Sequence, residues 1–352
     1  MHRICRGIAS GCLTAVAFAV MASPSALAAT ATSDGDVLSY TAAAGETNHL
    51  AASQAAGVVT FHDTGATVTA GAGCSSVDAH TVTCPVPGGE IQIDLGNRGD
   101  QLAVASRMGV PTSVFGGRGA DTIDGGPGRD HLFGEDGSDT LHGGGGADSL
   151  EAGSPGIEGD VAGAHNMLFG DGGSDRLNCD CSGGANTLDG GSGADRLFNG
   201  DVDGNASPDR FVGGPGVDAV IYLVPFISSM TAPDARPVFV TLDGVANDGR
   251  VAEGDNVESD IEVVAGGWGA DRLVGNAAGN VFRGGPGQDS IAGLAGRDRL
   301  AGGRGPDIVR GGRGADSLWG GRGFDNLFGG RGVDSCSLGG TGAQGGIATG
   351  CE

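Results

Sequence analysis

The chain has 352 residues, 73 of them glycine and only 5% aromatic, and carries a formal charge of -23. One glycine in five, against a usual share of about 7%, excludes an ordinary globular enzyme. All 20 basic residues are arginine, which removes Schiff-base catalysis, Walker-type phosphate binding and lysine acylation, while the 43 acidic residues set long-range repulsion against nucleic acid and anionic membranes. Metal cations or polycations are the expected partners.

At the N-terminus, His2, Arg3 and Arg6 precede an apolar run from Ile8 to Met21, and Ala26-Leu27-Ala28 has the small-x-small pattern of a signal peptidase site. Residues 1–28 are read as a signal peptide cleaved near Ala28, so the mature protein is expected to be secreted and extracellular. Losing Arg3 and Arg6 takes the formal charge from -23 to -25. No later run approaches the 18 or so apolar residues of a transmembrane segment. Six cysteines lie beyond the signal, an even number in an oxidising compartment. Closeness along the chain favours Cys74 with Cys84 and Cys336 with Cys351, each closing a short loop worth up to about 3 kcal/mol. Cys179 and Cys181 would form a strained ring if joined, and their pairing stays open.

Residues 29–106 contain short β-branched or alternating runs at Val37–Thr41, Gly57–Phe61, Thr67–Thr69, Thr81–Thr83 and Ile91–Leu95, which predict an all-β cap. Within LGNRGDQLA from Leu95, Asp100 and Leu102 stand like positions six and eight of a degenerate nine-residue unit. Arg98-Gly99-Asp100 also matches the tripeptide of integrin ligands, a signal that recurs by chance in any chain rich in these three residues.

From Gly116 a nine-residue beat takes over: GGRGADTID, GGPGRDHLF, GEDGSDTLH and GGGGADSLE. It resumes from Gly170 to Ile221 with insertions, forming with the first units a block over 107–221, and runs unbroken over 266–337. Eleven of seventeen units contain GGxGxD, and every unit but the last has Leu, Ile, Val or Phe at position eight. Glycines at positions one, two and four permit positive backbone torsions and a close approach to an ion. Positions seven to nine form a short strand with one inward apolar residue, as at Ile123, Leu132, Leu141 and Leu150. One such residue per nine, at about 1.5–3 kcal/mol, is too thin a core to hold a turn-rich chain. The missing cohesion is assigned to position six. In the first block this is Asp121, Asp130, Asp139 and Asp148, then Asp175, Asp195, Asp209 and Asp218, where insertions of two to five residues are expected to interrupt the stacking. In the second block it is Asp271, Asp289, Asp298, Asp307, Asp316, Asp325 and Asp334. Stacked coils about 4.8 Å apart place these carboxylates in rows, and a hard divalent cation relieves their repulsion. Histidine and cysteine are not at repeated metal-ligand positions, which argues against zinc.

The pattern resembles the RTX, or haemolysin-type, calcium-binding repeat family, whose nonapeptide is GGxGxDxUx. The resemblance covers about residues 116–337. It implies a right-handed parallel β-roll, two nonapeptides per coil, with Ca2+ between successive turns. Carried over residue by residue, it joins Asp121 with Asp139, Asp130 with Asp148, Asp271 with Asp289, Asp289 with Asp307, Asp307 with Asp325, Asp298 with Asp316, and Asp316 with Asp334. Several ions are expected, about eight. Asn186 and Asn280 depart from the pattern, so the site at Asn280 should be weak or empty.

The insertion 222–265 includes VFVTLDGVANDG and EGDNVESDIEVVAGG. Read in nines from Val257, Glu262 takes the carboxylate position and Val264 the apolar one. The preceding Asp243, Asp248, Asp255 and Asp260 are read as a surface hairpin or a further ion site. Residues 338–352 form a disulfide-closed tail. The seven histidines show no HExxH spacing, and no GxSxG elbow is present. The sequence therefore reads as a non-enzymatic calcium-binding protein. Its alternatives are a polysaccharide-acting extracellular enzyme with the roll as an accessory, or a surface adhesion protein. It names no cell-surface or polymer partner.

Overall fold

A computed structural model describes residues 28–153, 163–179, 184–200, 207–222, 235–251, 253–339 and 346–352. The signal peptide, Cys181 and part of the 222–265 insertion lie outside these. Pairs of nonapeptides wind into coils. Thr122–Asp124 lies on one face and His131–Asp136 on the other, and the next coil repeats this with Thr140–His142 and Ser149–Glu151. Strands of successive coils pair in parallel, Ile123 opposite Leu141 and Leu132 opposite Leu150. One face is a continuous sheet of 15 strands; the other is built of sheets of 11 and 7 strands. The chain is thus an all-β parallel β-roll. Its interior is the line of position-eight side chains, with Ile123, Leu132, Leu141, Leu150, Leu177 and Leu188 all at 0% exposure.

The expected interruption at the insertions does not occur. His131 pairs with Ser149, Ser149 with Arg176, Arg176 with Arg196, Arg196 with Ala219 and Ala219 with Val263, although the intervals grow from 18 to 27, 20, 23 and 44 residues. Register is set by the three-residue strands around each buried apolar residue, and the additional residues fall between them. In the second block, where the period is an uninterrupted 18, most strands lengthen to six residues, as in Arg299–Arg304 and Ser317–Arg322, because the paired glycines join the ladder, Gly303 opposite Gly321. Gly303 has φ +123°, and a Cβ there would overlap the Gly285 carbonyl one coil earlier.

Residues 29–106 stack directly on the roll. Val37–Thr41 pairs in parallel with Glu90–Asp94, which pairs with Thr112–Arg118; His49–Ala55 pairs with Gln101–Val104, which pairs with Thr122–Asp124. Antiparallel partners, Ala29–Ser33 on one face and Val58–Asp63 with Thr81–Pro85 on the other, cover the first coils. The interior is thicker here, with Leu38, Tyr40 and Phe61 fully buried and the Tyr40 hydroxyl donating to Asp63 Oδ2 at 2.6 Å. Disulfides join Cys74 to Cys84 and Cys336 to Cys351, with Cα atoms 4.3 and 5.7 Å apart. Cys179 is also disulfide-bonded.

The surface-hairpin reading of the insertion is corrected in part: a hairpin is present and Asp243 in its turn is exposed, but acidic residues that follow it are buried. Asp248, Arg250, Glu253 and Asp255 are only 2, 3, 4 and 0% exposed. The strand Val238–Thr241 pairs antiparallel with Gly249–Arg250 and parallel with Arg272–Val274, while Asn256–Val257 continues the other sheet from Arg210–Val212. That face therefore takes two strands, Val238–Thr241 and Gly249–Arg250, with no counterpart opposite, and there it divides into two sheets. No helix among the described residues is long and apolar enough to cross a membrane.

Candidate metal sites

The position-six aspartates form two columns, one along each side of the roll. All fifteen aspartates named at that position are buried, none more than 4% exposed. Each column is a hydrogen-bonded ladder. The Asp121 N–H donates to Asp139 Oδ1 at 2.8 Å and the Asp130 N–H to Asp148 Oδ1 at 2.8 Å. In the second block Asp271 donates to Asp289, Asp289 to Asp307, Asp298 to Asp316, Asp307 to Asp325 and Asp316 to Asp334. The seven pairs expected from the repeat are brought together, by a carboxylate reaching back to the backbone of the preceding coil. Across the insertions the ladder continues through Asp148, Asp175, Asp195 and Asp218, which ends on Glu262 Oε2 at 2.9 Å.

One oxygen of each carboxylate is thereby satisfied, and in most of them the other is left over. Oδ2 of Asp121, Asp130, Asp148, Asp175, Asp195 and Asp218 is buried without a hydrogen-bond partner, as is that of Asp289, Asp298, Asp307, Asp316, Asp325 and Asp334. An orphaned buried charge is costly unless something neutralises it. The surroundings recur. A Cβ built on Gly116 would meet Asp121 Oδ2 at 2.6 Å and the Gly134 carbonyl at 2.7 Å; on Gly143, Asp148 Oδ2 at 2.7 Å and the Gly170 carbonyl at 2.9 Å; on Gly311, Asp316 Oδ2 at 2.5 Å and the Gly329 carbonyl at 2.6 Å. Position-one glycine is thus the floor of a cradle in which a carboxylate oxygen and a main-chain carbonyl of the next coil converge. Hard oxygen donors of this kind, one of them anionic, fit Ca2+. Among the described residues no three His, Cys, Asp or Glu side chains gather at one point, so main-chain carbonyls and water would complete an ion's six to eight ligands.

Burial raises the carboxyl pKa values against the opposing pull of backbone N–H donors. Asp121, Asp130, Asp148, Asp271 and Asp307 are pushed up to about 7, and Asp175, Asp195, Asp209, Asp218, Asp289 and Asp298 to about 6. Near neutral pH these groups sit between protonation and ionisation, where a cation competes with the proton.

Not every rung is equivalent. Asn280 Oδ1 accepts from the Asn276 N–H at 3.0 Å, and the Asn186 amide donates to the Gly184 carbonyl at 2.7 Å and Asp209 Oδ1 at 3.0 Å. These amides supply internally what the aspartates lack. Asp271 Oδ2 is likewise satisfied, by the Gly267 N–H at 2.7 Å. Sequence reading missed Asn48, Asn166 and Asp255 as rungs. Asn48 donates to Asp100, Asp139 to Asn166, Asn166 to Asn186 and Asp209 to Asp255. Each lacks the paired glycines, but each stands two residues before a buried apolar residue, Leu50, Leu168 or Val257, and that spacing was the available signal. Asp100 is itself a rung at 1% exposure, which removes it from any accessible Arg-Gly-Asp motif.

Among the described residues, 20 acidic side chains are buried. Much of the charge that was read as surface repulsion is interior. Among known families, the RTX calcium-binding nonapeptide repeat matches the chain in four copies, at residues 115–150, 182–203, 265–300 and 301–336. No curated protein matches it.

Proposed function

We propose that this chain, which carries RTX calcium-binding nonapeptide repeats across residues 115–336, is a secreted, non-enzymatic protein whose β-roll is completed by several Ca2+ ions. The observation that carries the reading is the double column of buried aspartates, most with one oxygen bonded to the preceding coil and the other unpartnered in a glycine-floored cradle. Calcium supplies the charge neutralisation that the fold leaves undone. Asp121, Asp130, Asp139, Asp148, Asp175, Asp195, Asp209 and Asp218 in the first block would hold the ions, with Asp289, Asp298, Asp307, Asp316, Asp325 and Asp334 in the second. Asp271, already bonded to Gly267, is the weaker candidate. These carboxylates serve the ladder, which supports a structural rather than a catalytic use. Two disulfides and the N-terminal export pattern support an extracellular location, where calcium is abundant.

With sites of about 10⁻⁴ M in millimolar calcium, each ion contributes roughly 1.4 kcal/mol, so about eight supply a domain's ordinary stability. The test is a calcium titration of the purified, chelator-stripped mature chain, followed by far-ultraviolet circular dichroism with calorimetric stoichiometry. A cooperative gain of β-signal with several ions bound is expected. A chain already folded in chelator that takes up no calcium would end this reading.

A further inference from the structure

The repeat sorts charge by position, and the C-terminal block does so completely. Between residues 266 and 337 there are nine arginines, seven aspartates and no glutamate. All seven aspartates are buried, all nine arginines are exposed, and none of these arginines forms an ion pair with a described residue. The block carries +2 with every aspartate ionised and +9 with the columns neutralised. The first block differs, its arginines being interspersed with partly exposed acids such as Asp124, Asp136, Asp171 and Asp189. A chain of net charge -23 thus contains a block, residues 266–337, whose exposed ionisable side chains are all cationic.

On one face of this block the register sets Arg283, Ala301 and Trp319 in one outward lane and Arg304 beside Arg322 in another, with Arg299 opposite Ser317. Trp319 is 60% exposed; its lane neighbours Ala301 and Ser337 are small, and Gly339 of the tail lies beside its indole nitrogen. The opposite face bears Arg272, Arg310, Arg313 and Arg331, but its aromatic, Phe328, has the Arg310 guanidinium 5.3 Å from its ring centroid. Among the described residues, the first face combines guanidiniums that have no ring partner with a largely exposed ring.

We propose that this face, strands Val281–Pro286, Arg299–Arg304 and Ser317–Arg322, binds a linear anionic polysaccharide bearing carboxylate or sulfate groups. Arg304 and Arg322 stand on adjacent rungs, at about the strand spacing of 4.8 Å, with Arg283 and Arg299 in neighbouring lanes, and each guanidinium offers a planar fork that matches either anion. The ring is a flat apolar platform beside them. One aromatic to four arginines is the wrong ratio for a single-stranded nucleic acid, whose successive bases each seek a platform. A face of parallel strands, with no protruding helix among the described residues, also offers nothing that fits into a duplex groove. The inference goes beyond calcium binding and rests on that reading only through the fold, since the block is cationic whether or not its columns are ionised.

The test is isothermal titration of the calcium-loaded full chain with dextran sulfate, hyaluronan, uncharged dextran and poly-dT. Binding to dextran sulfate, hyaluronan or both is expected, weakening as salt rises, with none to dextran; which of the two binds identifies the anion. The variant Arg283→Gln/Arg299→Gln/Arg304→Gln/Arg322→Gln should bind roughly 30-fold more weakly, about 2.3-fold per exposed ion pair, with its calcium-dependent melting unchanged. Should that variant fail to fold, Arg304→Gln/Arg322→Gln alone should weaken binding about fivefold. No binding to either anionic polysaccharide, tighter binding of poly-dT, or an equal loss from the matching four-arginine variant of the opposite face would overturn the proposal. A failed calcium titration would be seen separately, by circular dichroism.

Discussion

Two neighbouring glycines allow the metal cradle and the coil stacking to be perturbed one at a time. Gly302 has an ordinary φ, but a Cβ there would run into the Asp307 carboxylate; Gly303 has φ +123°, and its Cβ would run into the Gly285 carbonyl. Gly302→Ala should therefore displace one ion ligand and leave the backbone alone, whereas Gly303→Ala should strain the backbone and push adjacent coils away from each other. Losing one site of about 10⁻⁴ M costs roughly 1.4 kcal/mol at 1 mM calcium and about 2.7 at 10 mM. The Gly302→Ala deficit should grow with calcium, by about 3–6 °C in Tm per decade. The Gly303→Ala deficit combines a glycine-only φ, about 1–3 kcal/mol, with the backbone clash. It should reach about 3 kcal/mol, or roughly 6–12 °C, and stay constant as calcium varies. Scanning calorimetry of both variants and the wild type at 0.1, 1 and 10 mM calcium reads this directly. A Gly302→Ala deficit independent of calcium would refute the claim that position-one glycine walls an ion site.

The response to pH should change sign with calcium. Asp121, Asp130, Asp148, Asp271 and Asp307 have folded pKa values near 7 against about 3.9 unfolded, so in the metal-free chain their contribution is full below pH 4 and lost as pH rises through 7. Metal-stripped protein should show more β-signal, and a melting transition, at pH 5.5 than at pH 8, where the roll needs calcium. Calcium-loaded protein should do the reverse, because protons displace the ions, and parallel curves would contradict the assignment. Leu294 occupies position two with φ +74° and 50% exposure, so Leu294→Gly should relieve about 1 kcal/mol and raise Tm by about 2–4 °C, with an unchanged or lower Tm counting against strain there.

The nine-residue beat made the coil, the inward apolar residue and the aspartate column legible in the sequence, because all three derive from one period. Val37–Thr41 was equally readable, being a short alternating strand with nothing to obscure it. What escaped was whatever keeps its place in the coil without the glycines. Asn166 and Asp255 hold rungs in segments with no GG pair, and the Val238–Thr241 strand enters the roll from a segment with no repeat at all. Stacking is enforced by three residues around a buried side chain, so the period in the chain can stretch from 18 to 44 residues while the period in space does not change.

The distribution of charge was hidden for a related reason. A net charge is a sum, and the sum of -23 was taken as a property of the surface. In a solenoid, however, the repeat position decides where each charge goes. Position six points to the cradle, so Asp298 and Asp316 are at 0 and 1% exposure, whereas Arg304 and Arg322, at position three of GGRGPD and GGRGFD, stand in solvent. The same nonapeptide that concentrates negative charge inside therefore leaves its third, seventh and ninth positions free to carry any charge outside. A roll can be acidic by composition, calcium-seeking in its interior and cationic on its face, and only sorting the residues by repeat position separates the three.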